Sequence, residues 1–233
     1  MKAIIVAGGH GSRLLPMTNF THKTLLPLCG RPIIDYALAT IRSAGINEIT
    51  IIGNQFIDKI REHVGGGVNY VLEEEPRGVA AALQLAREDN ENCPLIIWFS
   101  DNITNIELKP EIDEFSSGAL LLTREVENPR DFGVAVFENG VIVDVIEKPN
   151  NPPSNLAIGG IYVFDDTFWS RLDEVQDLPN FSISDVTKQY IKEGIARTVS
   201  VGENTWIDCG TPESLLRAGQ MVEQGIFTIK GAF

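Results

Sequence analysis

The chain has 233 residues, of which 43% are hydrophobic, and its 32 acidic and 19 basic side chains give a formal net charge of −13. That length supplies a sizeable core, and a single domain over 1–233 is expected. So acidic a balance argues against nucleic acid or an anionic membrane as partner, and no segment approaches the roughly 20 apolar residues of a membrane span.

The first element is a buried strand, Lys2-Ala-Ile-Ile-Val-Ala7, short, apolar and rich in β-branched residues. It is too short for a secretory leader, so a cytoplasmic location is expected. The strand breaks into Gly8-Gly9-His10-Gly11-Ser12-Arg13. Closely spaced glycines let the backbone approach a ligand and aim N–H groups at an anion. Arg13 could hold phosphate oxygens in a planar fork, and Lys23 follows as a second cation. The dinucleotide fingerprint fails because Leu14 stands where it needs glycine, and the P-loop's Gly-Lys-Ser/Thr is absent. On shape alone the loop is either a phosphate cradle or an ordinary strand-to-helix turn.

Helical periodicity then covers 32–44, 55–64 and 78–90, alternating with strand-like runs at 48–53, 68–72 and 94–99. The Gly65–Gly67 run joins a helix to a strand. This alternation implies a parallel sheet with helices on both faces. Strands at 118–123, 133–137 and 141–146 crowd around Asn139-Gly140, a hairpin signal, so the sheet should be mixed. A strand at 158–164, helices at 166–175 and 183–193, and a strand at 197–201 follow. Thr211 and Pro212 read as N-cap and first residue of a helix over 212–224. Cys29, Cys93 and Cys209 read as reduced thiols. His10, His22 and His63 make no zinc pattern.

Chemistry gathers at strand ends. Trp98-Phe99-Ser100-Asp101-Asn102 closes a buried strand with a carboxylate, which suits either a Mg²⁺ ligand or a turn cap. Trp206-Ile-Asp208-Cys-Gly210 repeats the design. Two such aspartates could share one metal, which an acidic protein handling phosphates would need. Glu147-Lys148 ends another strand. It could bind hydroxyls and phosphate, or it could be solvated surface.

Taken together, the motifs resemble the sugar-1-phosphate nucleotidyltransferases, and most of all the short glucose-1-phosphate thymidylyltransferases. Ala7 to Leu14 matches the family's A-G-G-x-G-[ST]-R-L. Lys23 with Leu25-Leu-Pro27, Ser100-Asp-Asn-Ile103, Phe132-Gly-Val134, Glu147-Lys-Pro149, Ser154 to Tyr162 and Trp206 to Thr211 follow in the family's order. The resemblance implies a Rossmann-like three-layer α/β/α fold around a mixed, mostly parallel sheet. It implies an enzyme that moves a nucleotidyl group from dTTP or UTP to a hexose-1-phosphate such as glucose-1-phosphate, releasing pyrophosphate. By motif match, Arg13, Lys23, Asp101, Lys148 and Asp208 are catalytic. Asp101 and Asp208 hold Mg²⁺. Gly8, Gly9, Gly11, Ser12, Glu73 and Gly78 bind the nucleotide, and Asn102, Gly133, Glu147, Ile158 and Tyr162 bind the sugar. Nucleoside triphosphate and sugar-1-phosphate are the implied partners, and a homo-oligomer is compatible with the family.

Four departures stand out. Ser100 and Cys209 replace glycine and threonine, and an acidic residue common in the family is missing at Ser182. Glu73 replaces the glutamine of thymidylyltransferases. An ionised carboxylate only accepts hydrogen bonds, which suits guanine, so a guanylyltransferase acting on a hexose- or heptose-1-phosphate is the alternative. A non-catalytic regulatory subunit of the same fold is a further one, although such a chain would be expected to lose some of the five catalytic residues.

Overall fold

The computed structural model describes residues 1–202 and 206–229. Its elements run β1 (Lys2–Ala7), β2 (Pro27–Leu28), β3 (Arg31–Pro32), α1 (Ile33–Ser43), β4 (Ile49–Gly53), α2 (Ile57–Val64), β5 (Asn69–Leu72), α3 (Val79–Leu85) and β6 (Leu95–Phe99). Then come β7 (Asn102–Thr104), α4 (Lys109–Asp113), β8 (Ala119–Glu125), β9 (Gly133–Glu138), β10 (Val141–Glu147) and β11 (Leu156–Phe164). The last are α5 (Phe168–Val175), α6 (Ile183–Lys192), β12 (Ala196–Ser200), β13 (Trp206–Asp208) and α7 (Pro212–Glu223).

A nine-stranded sheet carries the order β10-β9-β11-β6-β1-β4-β5, with β8 on the far edge of β11 and β12 beside β8. β1 pairs in parallel with β4 and β6, β4 with β5, and β8 with β12. Only β10 and β11 run against the rest of this sheet, so it is mixed and mostly parallel. Helices cover both faces. Ile4 of β1 joins the side chains of α3, α5 and α6, while Ala3, Ile5 and Ala7 join those of α1 and α2. Burial on both faces is why β1, β4 and β6 read as unbroken apolar runs. A third cluster packs Leu14, Leu28, Ile33 and Tyr36 against Ile207, Ala218 and Met221. Among the described residues no helix is long and apolar enough to cross a membrane.

Three local differences from the sequence pattern have physical causes. The helix expected over 78–90 stops at Leu85, followed by a 3-10 turn at Glu88–Asn90. There the buried Asn90 amide donates to the Ala86 carbonyl at 2.7 Å and to Thr50 Oγ1 at 3.2 Å. The strand expected from 158 begins at Leu156, because its first residues pair with β8 and β9. The β7–β13 pair was not visible as strands, since each is only three residues long.

One interruption opens the site. β6 pairs with β11 as far as Trp98 opposite Ile161. Further along the same edge of β11, β9 begins with Gly133 opposite Ile158. Gly159 and Gly160 lie between, where the β11–β8 register also shifts. A Cβ on Gly160 would stand 2.5 Å from Asn102 Nδ2, so any side chain there must displace the Asn102 amide.

Candidate active site

The loops leaving β1, β5 and β6 border one cavity of about 430 Å³ at the carboxyl ends of those strands. Open α/β sheets bind ligands at this end. Gly8, Gly9, Lys23, Glu73, Gly78, Asp101, Asn102, Gly133, Glu147, Lys148, Ile158, Tyr162 and Asp208 all line it. Strand order sets out its plan. Glu73 follows β5 at one side, Glu147 closes β10 at the other, and Asp101 follows β6 between them.

The β7–β13 pair brings the two aspartates together. Asp208 lies opposite Asn102, and the Cys209 N–H donates to the Asp101 carbonyl at 2.7 Å. The Lys23 ammonium pairs with Asp101 Oδ2, and Asn102 Nδ2 donates to Oδ1 at 2.8 Å. Burial pushes the Asp101 carboxyl up, but the Lys23 charge and these hydrogen bonds outweigh it and hold Asp101 below the usual range. Among the described residues Asp208 forms no ion pair of this kind, and the Lys23 ammonium only partly offsets what raises it. Burial first, and then the Asp101 charge, push it up to about 6. The Gly210 N–H at 2.7 Å and the Arg13 guanidinium act in the opposite sense.

Arg13 does not line this cavity. It lines a neighbouring cleft of about 680 Å³ that shares Asp131, Phe132, Trp206 and Asp208 with it, so Asp208 borders both cavities and Arg13 only the second. Gly11 and Ser12 line neither. Gly11 packs against Thr18, and Ser12 opens the 3-10 turn Ser12–Leu14. Lys23, expected on phosphate, is engaged with Asp101 here.

Glu73 is 4% exposed, and its Oε2 lies 1.9 Å from where a Gly8 Cβ would be, so a side chain at position 8 would displace the carboxylate. Burial raises the Glu73 pKa, and a hydrogen bond from the Arg77 backbone only partly opposes this. At the other side, Ser184 Oγ donates to Glu147 Oε2 at 2.8 Å beside Gly133. Lys148 holds a backbone φ of 42°, a strained value for a side-chain-bearing residue, and its N–H donates to the Phe132 carbonyl at 2.9 Å. Asn102 is nearly saturated. Its Oδ1 accepts from Trp206 Nε1 at 2.8 Å and from the Gly160 N–H at 3.2 Å, leaving one amide N–H without a partner among the described residues. Ser100 Oγ is buried without a hydrogen-bond partner.

Residues 2–225 match the model of the nucleotidyl transferase family. The chain belongs to that family. It is 33% identical over 95% of its length to the low-salt glycan biosynthesis nucleotidyltransferase Agl11 of Haloferax volcanii, and spans 66% of that protein. It is 32% identical over 96% of its length to the glucose-1-phosphate thymidylyltransferase of Neisseria meningitidis, of which it spans 83%. The crystal structure of a Bacillus anthracis chain assigned as a glucose-1-phosphate thymidylyltransferase superposes with a TM-score of 0.89 at 31% identity, covering 100% of this chain and 97% of the other. Apo UDP-glucose pyrophosphorylase shares the fold, with a TM-score of 0.81 at 22% identity over 97% of this chain and 99% of that one. This nucleotidyl transferase is a sugar-1-phosphate nucleotidyltransferase, an NDP-sugar pyrophosphorylase by class.

The structure gives site contacts to residues that had no role assigned from the sequence. Ser184 and Trp206 touch Glu147 and Asn102, and His22 and Asn54 sit behind the glycine loop. Asn54 carries the signal that exposed Asp101, a polar residue directly after an apolar strand. His22 had no such signal.

Proposed function

We propose that the enzyme transfers a nucleotidyl group from dTTP or UTP to a hexose-1-phosphate such as glucose-1-phosphate, with the whole chain acting as one catalytic unit in the cytoplasm, where nucleoside triphosphates are made. The observation that carries the reading is the convergence of Asp101, Asp208, Lys23 and Lys148 on one cavity whose opposite sides hold Glu73 and Glu147. A sugar-phosphate oxygen forms a bond to the α-phosphorus as the α–β bridging bond breaks, and pyrophosphate leaves with the electron pair. No covalent enzyme intermediate is needed. Catalysis is then positioning and charge compensation. Lys148 holds the sugar phosphate near the α-phosphorus, Lys23 takes the triphosphate within the cavity, and Arg13 meets it from the adjoining cleft that shares Asp208. Gly8, Gly9, Gly11 and Ser12 form the loop that cradles it, with Glu73 and Gly78 at the base. Glu147, Gly133, Ile158, Tyr162 and the free Asn102 N–H surround the sugar.

Asp101 and Asp208 fit Mg²⁺. They are two adjacent carboxylates, with Lys23 paired to one and Asp208 pushed up to about 6 by burial and by the Asp101 charge. Among the described residues no cluster of three or more His, Cys, Asp or Glu converges. That suits an ion which takes one or two carboxylates and fills its shell with phosphate oxygens and water. A bound Mg²⁺ would supply neutralisation of the triphosphate charge.

A second reading, transfer from GTP to a hexose- or heptose-1-phosphate, is favoured by the buried Glu73 carboxylate. Ionised, it suits the adjacent N1–H and N2–H₂ donors of guanine. Pyrophosphate release, measured for dTTP, UTP and GTP against a panel of sugar-1-phosphates, tests both readings. Turnover that requires both substrates and falls about 10²-fold in Lys148→Ala is expected. No release with any pair would leave the regulatory-subunit alternative standing.

A further inference from the structure

Three buried side chains from separate segments hold carbonyls of the glycine loop. Asn54 Nδ2, just past β4, donates to the Gly8 carbonyl at 3.2 Å. His22 Nε2 bonds the Gly9 carbonyl at 3.0 Å, and Thr18 Oγ1 donates to the Gly11 carbonyl at 2.9 Å. The three side chains are 2%, 1% and 4% exposed, respectively. Their donor roles are fixed by what else they bind. Asn54 Oδ1 accepts from the Phe56 N–H at 3.1 Å, so Nδ2 must be the group facing Gly8. His22 Nδ1 accepts from the Thr24 N–H at 3.2 Å, so the ring proton is on Nε2. Burial, and then the Lys23 charge, lower His22 to about 4, which keeps that neutral tautomer at working pH.

A trans peptide unit is planar, with C=O and N–H pointing in opposite directions. Pulling the Gly8, Gly9 and Gly11 carbonyls inward therefore turns the N–H groups of Gly9, His10 and Ser12 outward. Those N–H groups have no hydrogen-bond partner among the described residues. We propose that Asn54 and His22 are positioning residues that lock the glycine loop with its Gly9 and His10 amides aimed at the phosphate oxygens of the bound nucleotide, and that Thr18 fixes the end of the same loop where Gly11 enters the Ser12–Leu14 turn. The proposal rests on the nucleotide-site reading of this cavity. Its physical basis is entropy. A glycine-rich loop samples many conformations when free, and one held in its binding conformation loses less freedom when the anion arrives. Dipoles fixed in this way also bring no extra cations to an acidic chain.

The test uses substitutions that remove the clamp and little else. Asn54→Asp keeps the acceptor for the Phe56 N–H but sets an oxygen against the Gly8 carbonyl. Thr18→Val preserves shape without the hydroxyl. His22→Gln retains a donor toward Gly9. Binding of inorganic tripolyphosphate, with Mg²⁺ present, to the full chain is measured by titration calorimetry, so the base plays no part, and melting temperature is recorded alongside. Asn54→Asp and Thr18→Val should each bind at least about tenfold more weakly while remaining folded, and His22→Gln should bind close to wild type. Unchanged affinity in Asn54→Asp and Thr18→Val, with wild type binding, would overturn the clamp alone. Failure of wild type to bind would overturn the phosphate-site reading and the clamp with it. A loss reproduced by Tyr190→Phe, a core variant away from the loop, would mark general loosening and would also overturn the proposal.

Discussion

Asp208→Asn should make the metal-free protein more stable while removing most turnover. The side chain is pushed up to about 6 by burial and the Asp101 charge, against an ordinary carboxylate value of roughly 3.9. A carboxyl whose pKa is higher folded than unfolded binds protons more readily in the native state. Its contribution is fully present below the unfolded value and is lost as pH rises through the folded one. At full ionisation the shift corresponds to ~3 kcal/mol. Asp208 is only partly buried, and solvent screening brings this to about 1–2 kcal/mol. Asparagine keeps the Oδ1 acceptor for the Gly210 N–H, so that hydrogen bond survives. For a chain of this size the gain is worth roughly 3–6 °C in melting temperature. Thermal unfolding in EDTA, from pH 4 to 8, is the assay. The variant should be the more stable above pH 6, and the gap should close toward pH 4. Added Mg²⁺ should raise wild type more than the variant. A variant no more stable than wild type at pH 8, or a gap unchanged at pH 4, would refute the idea that the two carboxylates repel.

Glu73→Gln should shift kcat/KM toward dTTP and UTP relative to GTP by about tenfold, or ~1.4 kcal/mol, because an amide both donates and accepts; competition assays with mixed nucleotides read this ratio directly. The same variant should gain stability at pH 8 and lose that gain as pH falls, since burial raises the Glu73 pKa. Ser100→Ala removes a buried hydroxyl that has no partner and should stabilise the fold by about 1 kcal/mol in denaturant titrations with little change in kcat. Gly160→Ala puts a methyl 2.5 Å from Asn102 Nδ2 and so should displace the amide that orients Asp101; a kcat within twofold of wild type would show that Asn102 can yield without consequence.

Much of this arrangement was legible in the sequence, because it depends on local rules. The apolar runs of β1, β4 and β6, the Asn139-Gly140 hairpin and the Thr211-Pro212 helix start are decided by neighbouring residues. Most of the residues singled out at strand ends line one cavity, because the carboxyl ends of neighbouring strands face the same side of the sheet. What escaped depends on long-range packing. Nothing near Lys23 says that its ammonium rests on Asp101, or that Arg13 reaches Asp208 from a separate cleft. Ser182 drew notice for the acid it lacks, whereas Ser184, two residues on, supplies the contact to Glu147. A hydroxyl on a helix gives no signal until α6 is packed beside β10.

The arrangement of charge explains how a chain with net charge −13 can accept a triphosphate. More lysines around the cavity would attract the substrate, but they would also pair with the acidic residues already there, as Lys23 pairs with Asp101. Backbone N–H groups carry no net charge and cannot be drawn off in this way once their carbonyls are tied down. The Asp101–Asp208 pair makes the opposite use of charge, concentrating negative potential at one point. That point repels a bare triphosphate and favours one that arrives with a divalent cation. On the proposed reading the site would therefore discriminate twice, the loop for phosphate geometry and the aspartates for phosphate already neutralised. On this logic Lys23 has two partners in turn. It offsets Asp101 in the metal-free site, and it is released toward phosphate when a divalent cation takes over that role, so nucleotide and metal should bind cooperatively rather than independently.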